Sequence, residues 1–140
     1  MAWIEQDYLR RILLREHDKP NAANIDLISL NVRFALGRGR CVLLEGILRT
    51  DHYAAMLEQL HHDYQGTSAW YYFDVSFEET ARRHAGRPQA ADFSTEDMRR
   101  WYRHRDLLDF VAESVIGETA SLRATVDGIY DEAVRDRRCR

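Results

Sequence analysis

Ala69-Trp-Tyr-Tyr-Phe-Asp-Val75, running straight into Ser76-Phe-Glu-Glu79, is the stretch that decides the fold. Its first seven residues are dense in aromatic side chains, which suit a pleated, packed surface, so they read as a strand. Ser76 and Glu79 then form an S-x-x-E capping box, the local signal that starts a helix. A strand that passes directly into a helix is half of a βα unit, and the same alternation recurs on both sides of it.

Upstream, Ala2 to Gln6 reads as a short strand ending at Asp7. A helix follows with Leu9, Ile12 and Leu13 on one face, and Pro20 ends it. Ile25, Ile28, Val32, Ala35 and Leu36 repeat at helical spacing until Gly37 and Gly39. Arg40-Cys-Val-Leu-Leu-Glu45 is a continuous apolar run closed by a charge, the pattern of a buried strand. Tyr53, Met56, Leu57, Leu60 and Tyr64 mark the next helix, and Gly66 stops it. Downstream, Ser94 caps an arginine-rich helix, Ser114-Val-Ile-Gly117 is a weak strand, and Leu122, Val126, Ile129, Tyr130 and Ala133 line a closing helix. The expectation is an α/β fold with one mainly parallel sheet and flanking helices, built as a single domain over residues 1–140.

Bulk properties narrow the function classes. The chain has 140 residues, 45% hydrophobic and 31% charged, which is ordinary globular composition. No apolar run approaches the roughly 20 residues that cross a bilayer, and the first residues lack the pattern of a signal peptide, so a cytoplasmic protein is expected. Cys41 in an apolar run and Cys139 in a charged tail argue against a disulfide framework and fit a reducing compartment. Net charge is -3, which argues against a nucleic-acid partner, yet 82–105 holds seven arginines against three acids. The tail Arg135-Asp-Arg-Arg-Cys-Arg140 is read as a solvated terminus. His61-His62-Asp63 is a poor metal site, because adjacent histidines on a helix point in different directions.

Three features stand at the C-terminal ends of strands, where ligands bind in open α/β sheets. Asp7 is followed by Arg10 and Arg11: a carboxylate there can take a proton from a substrate hydroxyl while the arginines hold an anionic neighbour. The same residues also read as a helix-capping aspartate with solvated arginines behind it. In Leu43-Leu-Glu-Gly-Ile-Leu-Arg-Thr50, Glu45 ends a strand and Gly46 allows a sharp turn or close approach of a ligand. In Phe77-Glu-Glu-Thr-Ala-Arg-Arg-His-Ala-Gly-Arg-Pro88, Arg82, Arg83 and Arg87 cannot share one helix face, so at most two point into any one site.

These residues carry a resemblance. LLEGILRT at 43–50, with QDYLRR at 6–11 and FDVSFEETARRHAGRP at 73–88, resembles the zeta-toxin and chloramphenicol-phosphotransferase group of P-loop kinases over nearly the whole chain. The resemblance implies an ATP-dependent small-molecule kinase acting on an alcohol, with Asp7 as base. Arg10, Arg11, Glu45, Gly46, Arg49 and Thr50 would lie against the substrate. Arg82, Arg83 and Arg87 would contact ATP phosphates from a lid over 82–105, and ATP and Mg2+ would be needed. The departure is the absence of G-x-x-x-x-G-K-[ST] anywhere in these residues. Gly37-Arg-Gly39 ends a helix and cannot replace it. The family fold would then lack its first, central strand and phosphate loop, between the strands ending at Glu45 and Val75, and the chain would be inactive unless another polypeptide supplied them. A remnant that keeps only a substrate or partner site is the alternative.

Overall fold

The computed structural model describes residues 1–135. It divides into two compact units, Met1–Ala69 together with the described residues from Tyr130 on, and Trp70–Ile129. Both are α/β. The tail arginines after position 135, and Cys139, lie outside the described residues.

In the first unit β1 (Ala2–Glu5) pairs in parallel with β2 (Val42–Glu45), in the register Ala2 to Val42 through Glu5 to Glu45. Between them the chain forms a π-helical segment, Tyr8–Leu14, and then α1, Ala23–Gly37; α2 (Thr50–Asp63) follows β2. The spacing that predicted α1 is the spacing that packs it: Ile25, Ile28, Val32 and Ala35 are buried, and Ile28 is fully so. Tyr53, Leu57 and Leu60 bury the matching face of α2, while Ile4 and Leu9 close the core from β1 and the π-helical segment. Burying side chains of this size is worth roughly 1.5–3 kcal/mol each, which is what holds the small unit together.

The second unit pairs β3 (Tyr71–Asp74) in parallel with β4 (Ser114–Gly117). Its helices are α3 (Phe77–Ala85), a short 3-10 turn at Pro88–Ala91, α4 (Thr95–Trp101) and α5 (Leu122–Tyr130). Phe77 and Met98 are its buried apolar side chains. Aromatic contacts carry much of the remaining packing, with Phe77 edge-on to Tyr102 at 5.6 Å and His84 stacked on Phe93 at 4.3 Å.

Several expectations are corrected. The four strands form two separate two-stranded parallel sheets, not one sheet. The helix after Asp7 is π-helical and stops at Arg15 in the left-handed conformation (φ 53°), well short of Pro20. Its wider turn takes Ile12 and Leu13 out of the core, leaving them 63% and 56% exposed beside a buried Leu9. The aromatic strand is half-buried, with Phe73 55% exposed. No residue of α5 is buried. Among the described residues, no helix is long and apolar enough to cross a membrane.

Candidate functional site

Parallel pairing in register sets Glu5 beside Glu45 at the C-terminal end of the first unit's sheet. Although Glu45 is exposed as a whole, loss of hydration around its carboxyl, followed by the neighbouring Glu5 charge, pushes it above the ordinary value of 4.5. A hydrogen bond from the Trp3 side chain opposes that rise, and the charge of Asp7 adds to it. The Asp7 charge therefore reaches the Glu45 carboxyl at this strand end.

Asp7 begins the π-helical segment but does not cap it: its backbone is already helical and its carboxylate makes no capping bond. Arg10 Nη2 donates instead to Asp7 Oδ1 at 2.6 Å, and Arg11 Nη1 to Oδ2 at 3.3 Å. The predicted arginines therefore gather on the predicted aspartate. Asp7 remains half-exposed, and each carboxylate oxygen has a further lone pair to offer.

Gly46 makes the turn after β2 with φ at +149°, and a Cβ added there would sit 2.5 Å from the Cβ of Gln6. Both the conformation and the contact require glycine. Gln6 in turn belongs to a buried polar cluster that composition and periodicity did not reveal. Gln6 Nε2 and Asn24 Nδ2 each donate to the Tyr53 hydroxyl at 2.9 Å, and that hydroxyl donates to Asp18 Oδ1 at 2.8 Å. His52 Nδ1 lies 3.1 Å from the same Asp18 oxygen. Glu16 Oε1 accepts from the Asn24 backbone N–H at 2.6 Å, satisfying a free donor in the first turn of α1. Burial pushes the Tyr53 phenol above its usual value, so it stays a donor to Asp18. The cluster joins the residue after β1, the loop before α1, the first turn of α1, and α2, and thereby fixes the floor under Gly46.

Arg49 and Thr50 sit at the start of α2. Arg49 folds onto Asp51, Nε to Oδ1 at 3.0 Å and Nη2 to Oδ2 at 2.5 Å, instead of reaching outward.

The arginines assigned to a lid belong to the second unit, in and just after α3. Glu79 receives Arg82 and Arg83, each Nε at 2.6 Å, and is held down to about 2 by those two hydrogen bonds. Arg83 Nη2 also donates to the Glu118 carbonyl at 2.8 Å. Half of the predicted capping box forms, with Ser76 Oγ accepting from Glu79 N–H, while the Glu79 carboxylate turns to the arginines. Glu118 takes the other role, accepting from Ser76 N–H at 2.9 Å and Ser76 Oγ at 2.7 Å. The 82–105 segment is packed rather than loose: Arg99 lies 4.0 Å over the Phe77 ring, Tyr102 donates to the Val75 carbonyl at 2.8 Å, and Arg105 reaches Asp74 at 3.2 Å.

The first unit therefore brings together Asp7, Arg10, Arg11, Glu45 and Gly46, and adds Glu5, Trp3 and Gln6. Strict alternation along β1 could have exposed Glu5, since Trp3 and Glu5 share one face and Ile4 and Gln6 the other. Among the described residues no group of three or more His, Cys, Asp or Glu is placed to hold a metal ion. The sequence also holds no phosphate-cradling G-x-x-x-x-G-K-[ST] loop. No protein-family model, no curated protein and no solved structure matches the chain.

Proposed function

We propose that the first unit is the acceptor half of a small-molecule phosphotransferase. The observation that carries this reading is the convergence of Asp7, Glu45 and the obligatory Gly46 at one end of a parallel strand pair. Ligands of parallel α/β sheets bind at that end. A substrate hydroxyl would approach Asp7, whose carboxylate accepts its proton as the oxygen forms its new bond to phosphorus and the bond to the departing nucleoside diphosphate breaks. Arg10 and Arg11 orient the Asp7 carboxylate. The Glu45 carboxyl, at the same strand end, is placed to accept a hydrogen bond from a second substrate hydroxyl. Holding ATP and Mg2+ requires a strand and phosphate loop that these residues do not contain, and a second polypeptide segment would have to bring them.

One observation favours a second reading, a binding module without catalysis. Arg82 and Arg83 are spent on Glu79, so two of the three arginines that would meet phosphates are already neutralised, and Arg49, assigned to the substrate, is held by Asp51. The two readings share an acceptor site and differ over transfer. Titrating the chain with a nucleotide sugar and following backbone amides tests the shared part. Shifts confined to residues 5–7 and 45–50, and lost in Glu45→Ala, are expected; shifts elsewhere or none would remove the acceptor site.

A further inference from the structure

The first unit carries a cavity of 640 Å³ at the other end of its strands, where β1 begins and β2 has not yet started, bounded by β1 and α1. Its walls include Trp3, Ile4, Asn31, Phe34, Arg38 and Arg40. Two observations set it apart from an incidental surface dent. Trp3 and Phe34 are 66% and 68% exposed, so two large rings face solvent around one hollow. Neither Arg38 nor Arg40 pairs with a carboxylate among the described residues, whereas Arg33, earlier on α1, is paired with Asp63 at 2.8 Å. The Arg38 guanidinium carbon lies 5.4 Å from the Phe34 ring centroid, which steers the cation over the ring while leaving its N–H donors available.

Each wall selects a chemistry. Aromatic faces take a planar ring by stacking, at roughly 1–3 kcal/mol per base in nucleic-acid binders. Two guanidinium groups match a phosphate dianion, since each presents a planar fork of donors. Asn31 donates through Nδ2 to the Leu27 carbonyl at 2.7 Å, so its Oδ1 is turned to act as an acceptor. The volume falls within the range of about 300–1,000 Å³ typical of small-ligand sites.

We infer that this cavity binds a nucleoside monophosphate, its base against Trp3 and Phe34, an exocyclic amino group on Asn31 and its phosphate on Arg38 and Arg40. A hollow of this size in a chain of net charge -3 favours a free nucleotide over a nucleic-acid strand. Phe34, Arg38 and Arg40 lie toward the start of the strands, away from Asp7, while Trp3 is shared, since its side chain also bonds the Glu45 carboxyl.

AMP is the probe. Tryptophan emission followed during an AMP titration should show saturable quenching, and Trp3→Phe, which leaves Trp70 and Trp101 in place, should remove it. Arg40→Gln should weaken binding by about tenfold, the usual scale for losing one charge-assisted contact. Adenosine and ribose 5-phosphate, each missing one half of the recognition, should both bind more weakly than AMP. Equal binding of adenosine and AMP, an unchanged Arg40→Gln, or quenching that survives Trp3→Phe would overturn the assignment. So would a thymidine oligonucleotide that binds more tightly than AMP at equal nucleotide concentration, since it would mark a strand-binding surface. Amide shifts on AMP addition should fall at 31–40, and shifts at 45–50 instead would place AMP at the acceptor end and contradict this site.

Discussion

The two units solve the same problem, a short parallel strand pair with helices, in opposite ways. The first buries a row of aliphatic side chains and roots its strand end in a buried polar cluster around Tyr53, in which the Asn24 Oδ1 alone finds no partner among the described residues. The second buries Phe77 and Met98 and relies on aromatic edges, capping bonds and exposed arginine-carboxylate pairs. Exposed ion pairs contribute little, with measured values commonly about 0–1 kcal/mol, whereas buried apolar packing and satisfied buried polar groups contribute more. A site that demands fixed geometry belongs on the first kind of scaffold, and Asp7, Glu45 and Gly46 stand there.

Unequal responses to core truncation would sharpen this contrast most. Ile28→Ala, at a fully buried position, should cost about 2–5 kcal/mol in urea unfolding, while Val126→Ala on the exposed face of α5 should stay within about 0.5 kcal/mol. Equal effects would break the comparison. Tyr53→Phe should cost about 1–3 kcal/mol, because it strands the Gln6 and Asn24 amides and Asp18. A neutral result would mean that the cluster reorganises freely. Ser94→Ala should cost about 1 kcal/mol by removing both the bond to the Asp97 N–H and the capping box of α4, with the loss confined to amide exchange in the second unit.

The acids of the two units should also titrate with opposite sign. The folded value of Glu79 is depressed from 4.5 to about 2, so its pairs support the fold above pH 4.5 and that support fades as pH falls toward about 2. Glu45 is raised, so the folded state holds its proton more tightly than the unfolded chain does, and stability at this group declines as pH rises through its folded value. Carboxyl carbon shifts in an NMR titration should show Glu79 ionising near 2 and Glu45 above 4.5. Glu45→Gln should raise stability at neutral pH, and a loss there would reverse the sign assigned to the Glu5 neighbour.

What was legible in the sequence follows from the range of each signal. The junction at Ser76 was readable because a strand end and a helix cap are encoded within a few residues, and α1 was readable because its burial repeats every three or four positions. Asp7 and Glu45 could be placed at one end because strand direction alone implies it. The polar cluster was not readable: Gln6, Asp18, Asn24 and Tyr53 meet across as many as 47 positions, and Tyr53 looked like any helix-core aromatic. The π-helical turn after Asp7 was hidden for a related reason, since its wider spacing imitates a helical pattern until the exposed Ile12 and Leu13 are seen. Partnering of strands was the other gap, because apolar patterning identifies a strand without naming its neighbours, and the four strands sort into two pairs.

The acceptor reading meets its most direct test in a protein complemented upstream with a strand and a G-x-x-x-x-G-K-[ST] loop, supplied with ATP and Mg2+ and offered a nucleotide sugar or an antibiotic hydroxyl. The complemented wild type should transfer phosphate, and Asp7→Asn should lower the rate by about 10²–10⁴-fold, the usual contribution of a positioned base. Nucleotide affinity should change by less than about twofold, because the substitution leaves the phosphate cradle untouched. Transfer by Asp7→Asn at the wild-type rate, or no transfer by the complemented wild type to any such hydroxyl, would contradict the account.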